Sequence, residues 1–202
     1  LAKNFGAEFR FNTPARQIVT ANGVATQVET DKETISAKAI LFNGDPRALH
    51  QGFLGDDVQK AVAASQVSPR SLSAYVGSFA AVPSGCELAH HNVFFGNQPN
   101  AEFDAIEQAQ MPRDATLYLC AQDNADVSPE SVQRFEVIMN APPVPGDEEK
   151  EKTQCQTRIF RRFRDFGLHF TPEPGPQDMA TPATFNRMFP ASLGSLYGLS
   201  PH

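Results

Sequence analysis

Apolar and polar residues alternate through most of the first 45 positions, and helical spacing enters only afterwards. The clearest local pattern is "ARQIVTANGVATQVET" (15–30), two β-rich arms around Asn22-Gly23. That dipeptide suits a type I′ turn, whose two central residues both need positive φ. Ahead of it, "LAKNF" reads as the end of a short amphipathic helix stopped by Gly6, and residues 8–12 alternate as a strand. Behind it, "ISAKAILFN" (35–43) predicts a further strand, broken by Gly44, Asp45 and Pro46. From Pro46, "PRALHQGFLG" and "DDVQKAVAAS" carry helical spacing, whereas "RSLSAYVGSFA", "HHNVFFG", "ATLYLCAQ" and "FEVIMNAPP" read as strands. "VPSGCEL" reads as a loop and "NAEFDAIEQAQMP" as a short helix with Phe103, Ile106 and Ala109 on its apolar face.

The strongest helix lies in "GDEEKEKTQCQTRIFRRFRDFGL". Acidic residues fill its first turns and arginines its last, matching the helix dipole. Cys155, Ile159, Phe163 and Phe166 form its apolar stripe, and Gly167 can close it. The remainder is loop-rich, with one short helix beginning at Thr181-Pro182. The pattern is that of an α+β chain in two portions, with several antiparallel-looking strands and a boundary near Pro46.

Composition narrows the function classes. A net charge of −6 argues against a nucleic-acid groove. Three cysteines at wide, irregular spacing fit neither a disulfide framework nor a zinc cluster, and suggest a reducing compartment. No apolar run approaches the ~20 residues needed to span a bilayer, so membrane contact would be at the surface. Sixteen Phe against three Tyr and no Trp predict an interior or pocket lined with apolar rings.

Candidate chemistry is sparse. His90 and His91 are adjacent, and neighbours on a strand point to opposite faces, so no metal site is expected. Arg158, Arg161, Arg162 and Arg164 suit a helix C-terminus, or else anionic lipid head groups. There is no Gly-x-Ser-x-Gly elbow and no Gly-x-Gly-x-x-Gly phosphate loop. "FNGDP" and "GSLYG" are explained by turns as well as by a nucleotide.

The order of segments carries more. "LAKNFGAEFRFNTPARQIVTANGVATQVET" and "ISAKAILFNGDP" give a helix and strand, a hairpin, then an alternating strand ending in Asn-x-Asp-Pro. "SPRSLSAYVGSFA", "HHNVFFG", "AEFDAI", "ATLYLCAQD", "FEVIMNAPP" and "TPATFNRMFPASLGSLYGLSPH" follow. Together they resemble the middle of the flavin-dependent carotenoid desaturases of the phytoene desaturase type. The later segments are similar to the 1-hydroxycarotenoid 3,4-desaturase (methoxyneurosporene dehydrogenase) branch. The likeness spans essentially the whole chain, and "GSLYGLSPH" is its most specific part.

The resemblance implies a flavoprotein of amine-oxidase type, in which a substrate domain is inserted into a Rossmann-like FAD/NAD(P)-binding domain. Residues 1–45 would belong to the FAD-binding domain and residues 46–202 to a substrate domain of mixed sheet and helix. The chain would be an internal piece, with the glycine fingerprint and a second flavin segment outside it. The backbone at Ala15, where the family usually has Val, would meet the adenine of FAD, and Asn43 and Asp45 would stand near the flavin. The implied reaction removes two hydrogens from an acyclic (1-hydroxy)carotenoid to extend its polyene, in carotenoid biosynthesis. Tyr75, Phe94, Phe95 and Tyr197 would line the tunnel for this hydrophobic carotenoid, and His90 or His91 would meet its hydroxyl end. No catalytic base is identified. A lipid-dissolved substrate implies a cytoplasmic protein docked peripherally on the inner membrane. The same superfamily offers a phytoene desaturase, a carotenoid isomerase, a retinol saturase-like enzyme or a non-catalytic carotenoid-binding module as alternatives.

Overall fold

The computed structural model describes residues 1–123, 128, 130–143 and 146–200, so the last two residues of "GSLYGLSPH" lie outside it. Helices and sheets are segregated as in an α+β chain. Contacts divide it into two compact units, Leu1–Ser68 and Pro69–His202. This division by compactness falls later in the chain than residue 45, because the turns after Pro46 pack on the first sheet.

The first unit contains β1 (Ala15–Ala21), β2 (Val24–Thr30) and β3 (Thr34–Ser36), paired antiparallel in the order β1-β2-β3. Asn22 and Gly23 have φ of 52° and 78°, the left-handed pair that a type I′ turn requires. The predicted strand over 35–43 shrinks to Thr34–Ser36. Ser36 pairs with Gln27 and Ala37 N still bonds Thr26 O at 2.9 Å, after which the ladder ends. Residues 8–12 form no strand, and "LAKNF" is a single 3₁₀ turn (Ala2–Phe5) closed by left-handed Gly6. Asp45 caps α1 (Pro46–His50), its Oδ1 accepting from Arg47 N at 2.9 Å. The helical spacing beyond gives only 3₁₀ turns, because Gly52 and Gly55 take positive φ (75° and 102°) and stop the helix. Ile18, Leu54 and Val58 form a small core, while Leu41 is 95% exposed.

The second unit is built on β4 (Ser73–Ser84), β5 (His91–Phe94), β6 (Leu117–Ala121), β7 (Gln133–Ala141), β8 (His169–Thr171) and β9 (Met179–Ala180). The sheet order is β5-β6-β7-β4-β8, with β9 also on β4, and these pairings are antiparallel. "VPS" is strand rather than loop, since Val82–Ser84 pairs with β8, a partner remote in sequence. One sheet face carries Leu117, Leu119, Phe135, Val137 and Met139, all buried, and packs against α3 (Glu148–Asp165). Asp147 caps α3, its Oδ1 accepting from Lys150 N at 3.0 Å. The helix buries Cys155, Ile159, Phe160 and Phe163; Phe160 joins the predicted stripe, and Phe166 leaves it as the half-exposed C-cap. Phe79, Phe135, Phe160, Phe163 and Phe170 meet with ring centroids 5.0–5.9 Å apart. Much of the Phe-rich composition is therefore core, where each buried ring contributes roughly 1.5–3 kcal/mol by area.

α2 (Pro99–Glu107) corrects its predicted face. Ile106 is buried, but Phe103 is 49% exposed and Ala109 lies past the helix end. Glu102 is buried instead, its carboxylate accepting from Thr116 N (2.9 Å) and Asn140 Nδ2 (3.1 Å). Thr181 caps α4 (Pro182–Met188) as expected. The "GSLYGLS" stretch then returns to the start of the unit. Leu196 N bonds Leu72 O, Ser71 N bonds Gly198 O, and Ser200 N bonds Pro69 O, at 2.9–3.1 Å. Ser71 Oγ meets Ser195 Oγ at 2.6 Å and accepts from Tyr197 N. Among the described residues, no helix is long and apolar enough to cross a membrane.

Candidate functional site

Strand register places Val93, Tyr118, Ile138 and Val76 in one row across β5, β6, β7 and β4, on the face opposite α3. None of the four is fully buried, and Val93 is 48% exposed. β7 is apolar towards α3 and mostly polar on the opposite face, where Ile138 stands between Glu136 and Asn140, so the row is an apolar strip on a face of mixed character. Two residues along the strands, about 7 Å away, the same face changes character. Its next row is His91, Cys120, Glu136 and Ser78. An apolar row beside a polar one can take a long apolar molecule with a polar end.

The residues singled out from sequence are distributed unevenly around this face. His91 lies on it. Tyr75 is 2% exposed and Phe94 8%; they stand in the row Phe94, Leu117, Met139, Tyr75, on the α3 side. Phe94 packs on Phe163 and Phe166, at 5.1 and 5.2 Å. Phe95 is 67% exposed and its carbonyl accepts from Arg162 Nη2. Tyr197 is 76% exposed, on the closing strap. Ala15, Asn43 and Asp45 belong to the first unit: Ala15 opens the edge strand β1, Asn43 is exposed, and Asp45 is engaged in capping α1. Sequence reasoning missed Val76, Tyr118 and Ile138. They lie in "SAYVG", "LYLCA" and "FEVIM", which read simply as strands.

The expectation that His90 and His91 diverge is overturned. His90 precedes β5, in a bend held by Asn92, whose Oδ1 accepts from Ala89 N and whose Nδ2 donates to Ala89 O. The strand rule therefore does not govern it, and the two imidazoles stack edge-on with centroids 4.4 Å apart. His90 Nε2 lies 3.7 Å from Cys120 Sγ, and His91 Nδ1 lies 2.7 Å from Tyr118 Oη.

Electrostatics elsewhere in this unit are largely internal. Arg158 donates to Pro112 O, Arg162 pairs with Asp114 at 2.8 Å, and Arg164 pairs with Glu173 at 2.5 Å. These helix arginines therefore fasten α3 to its surroundings. Arg187 of α4, followed by the Thr184 hydroxyl, holds the Glu148 carboxyl well below its usual range, at about 2. Burial pushes the Cys155 thiol up to about 12 and raises the Glu151 carboxyl. A cavity between α3 and residues 112–117 measures about 60 Å³, against the 300 Å³ or more typical of ligand pockets.

No family model matches the chain. Over its whole length it is 48% identical to hydroxyneurosporene desaturase of Cereibacter sphaeroides, covering 41% of that protein. It is 42% identical to hydroxyneurosporene desaturase of Rhodobacter capsulatus, again over the whole chain and 41% of the relative. A lycopene-forming phytoene desaturase of Pseudescherichia vulneris is 27% identical, with 43% of it covered. The chain thus spans about two fifths of the length of these relatives. By this continuous similarity, the chain belongs to the carotenoid desaturases of the phytoene desaturase family, as a stretch of one of them.

Proposed function

We propose that the protein carrying this chain is an FAD-dependent oxidoreductase that desaturates an acyclic 1-hydroxycarotenoid. Its product would be a longer conjugated polyene. The observation that carries the reading is the unbroken 48% identity to a hydroxyneurosporene desaturase. In this reading residues 1–45 are part of the FAD-binding domain, and residues 46–202 form the substrate domain and lead back towards it. Bound FAD would supply the hydride acceptor.

The first unit fits part of such a cofactor domain. An adenine edge needs backbone donors and acceptors on an accessible strand, and Ala15 stands exposed at the open end of edge strand β1. Asn43 is exposed. The unit also leaves Phe11 and Leu41 73% and 95% exposed, as a sheet does when other strands of its domain cover it. The phosphates would be held by residues outside this chain.

The second unit would bind the carotenoid on the sheet face opposite α3. Val76, Val93, Tyr118 and Ile138 would present apolar area to the polyene, and the exposed rings of Phe95 and Tyr197 are further candidates to meet it. Tyr75 and Phe94 act from the other side, by holding the sheet against α3. His91, with His90 beside it, offers the polar partner for a 1-hydroxyl end. The side chains exclude water and align the substrate; no base among them is assigned. A substrate drawn from lipid supports peripheral docking on a membrane, which in this reading is the cytoplasmic side of the inner membrane.

Expression of the full reading frame in cells accumulating defined acyclic carotenoids tests this. Hydroxylated substrates should gain a double bond, and the purified protein should carry flavin. Conversion of unhydroxylated phytoene alone would overturn the substrate assignment, and a colourless, flavin-free protein would overturn the enzyme class.

A further inference from the structure

We infer that His90, His91 and Cys120 form a binding site for a borderline-soft divalent cation of the Zn²⁺ type. Each residue offers a ligand atom, and the three atoms lie within 4.8 Å of one another. The site rests on the β5–β6 pairing. His91 and Cys120 are directly opposed across the two strands, so their side chains share a face. His90 is brought over the same face by the bend before β5, where its carbonyl accepts from Ala121 N at 2.8 Å.

The distances suit the ion. Tetrahedral coordination with Zn–N near 2.0–2.1 Å and Zn–S near 2.3 Å puts nitrogen and sulfur about 3.6 Å apart. His90 Nε2 and Cys120 Sγ are already 3.7 Å apart. The remaining adjustment is a side-chain rotation, open to both histidines because they are exposed. The Tyr118 hydroxyl at His91 Nδ1 orients that ring, as outer hydrogen bonds do for metal-bound histidines. Register also sets Glu136 beside Cys120, adding a negative charge that favours a cation. Two imidazoles and a thiolate select for Zn²⁺-like ions over Mg²⁺ or Ca²⁺, which prefer oxygen. On binding, the Cys120 thiol releases its proton to solvent and water completes the fourth position. The ion would tie the bend to β6 and fasten the short edge strand β5.

The site does not depend on the carotenoid reading, and its test follows the metal. In the intact protein, Zn²⁺ should slow alkylation of Cys120 at least tenfold by mass spectrometry, without protecting Cys86. His90→Ala and His91→Ala should each remove that protection. Zinc retained through gel filtration should fall by one equivalent in Cys120→Ser and remain unchanged in Cys86→Ser. Undiminished Cys120 labelling in excess zinc, protection surviving both histidine substitutions, or equal zinc retention in Cys120→Ser would each overturn the assignment.

Discussion

Arg187, in the last turn of α4, donates to the carboxylate of Glu148 in the first turn of α3. The same carboxylate accepts from Thr184 Oγ1 at 2.7 Å and meets Lys152 Nζ at 3.2 Å. One side chain thereby joins the start of the main helix to the segment that leads into the closing strap.

This pair predicts an acid sensitivity. The Glu148 carboxyl is depressed to about 2 in the folded protein, from an ordinary 4.5. Its contribution is therefore complete above pH 4.5 and is lost as pH falls from there towards 2. Solvent screening keeps the effect modest. Glu148→Gln should lower the melting temperature at pH 7 by no more than a few degrees and flatten its decline across that acid window, as read by calorimetry.

The aromatic core predicts a much larger effect. Phe160 is 1% exposed and meets Phe79, Phe163 and Phe170 edge-on. Phe160→Ala should cost about 3–5 kcal/mol in denaturant unfolding. Phe166→Ala, at a half-exposed C-cap, should cost clearly less.

Two glycines separate backbone strain from collision. Gly23 has φ of 78° and nothing within 4 Å of the methyl that alanine would add, so Gly23→Ala should lose only the left-handed penalty of about 1–2 kcal/mol. At Gly85, φ is 94° and an added Cβ would lie 2.0 Å from the Gly167 carbonyl oxygen, where β4 and α3 end side by side. Gly85→Ala should be the more damaging of the two in thermal melts.

The two sheet faces should separate function from stability. Ile138 sits on the half-open face, and Leu119, at 0% exposure, on the α3 face. Ile138→Ala should reduce kcat/KM for the carotenoid roughly ten- to fiftyfold, the loss expected for two or three buried methylenes, with little change in melting temperature. Leu119→Ala should instead cost about 2–5 kcal/mol of stability. Equal effects of both substitutions on melting, with turnover untouched, would remove the proposed substrate face.

Local chemistry made part of this architecture readable. The Asn22-Gly23 turn, the helix start at Thr181-Pro182, the dipole-matched α3 and the strands β6 and β7 each follow from neighbours in the chain. What was hidden depends on remote partners. Val82–Ser84 becomes strand because β8 arrives much later, and the 35–43 strand keeps only the residues that pair with β2. Burial of Glu102 depends on Thr116 and Asn140, which periodicity cannot foresee. The candidate face was equally obscured, since alternation shows that a strand has two sides without showing which one is left uncovered. The histidine pair was misjudged by applying a strand rule to a residue standing one position outside the strand.

The zipper between residues 69–72 and 195–200 has an engineering consequence. Two segments more than 120 residues apart in sequence are hydrogen-bonded to each other, so residues 69 and 200 are neighbours in space. A short connector between residues 69 and 200 should therefore close this stretch into a loop, as a circular permutation requires, without stretching either segment.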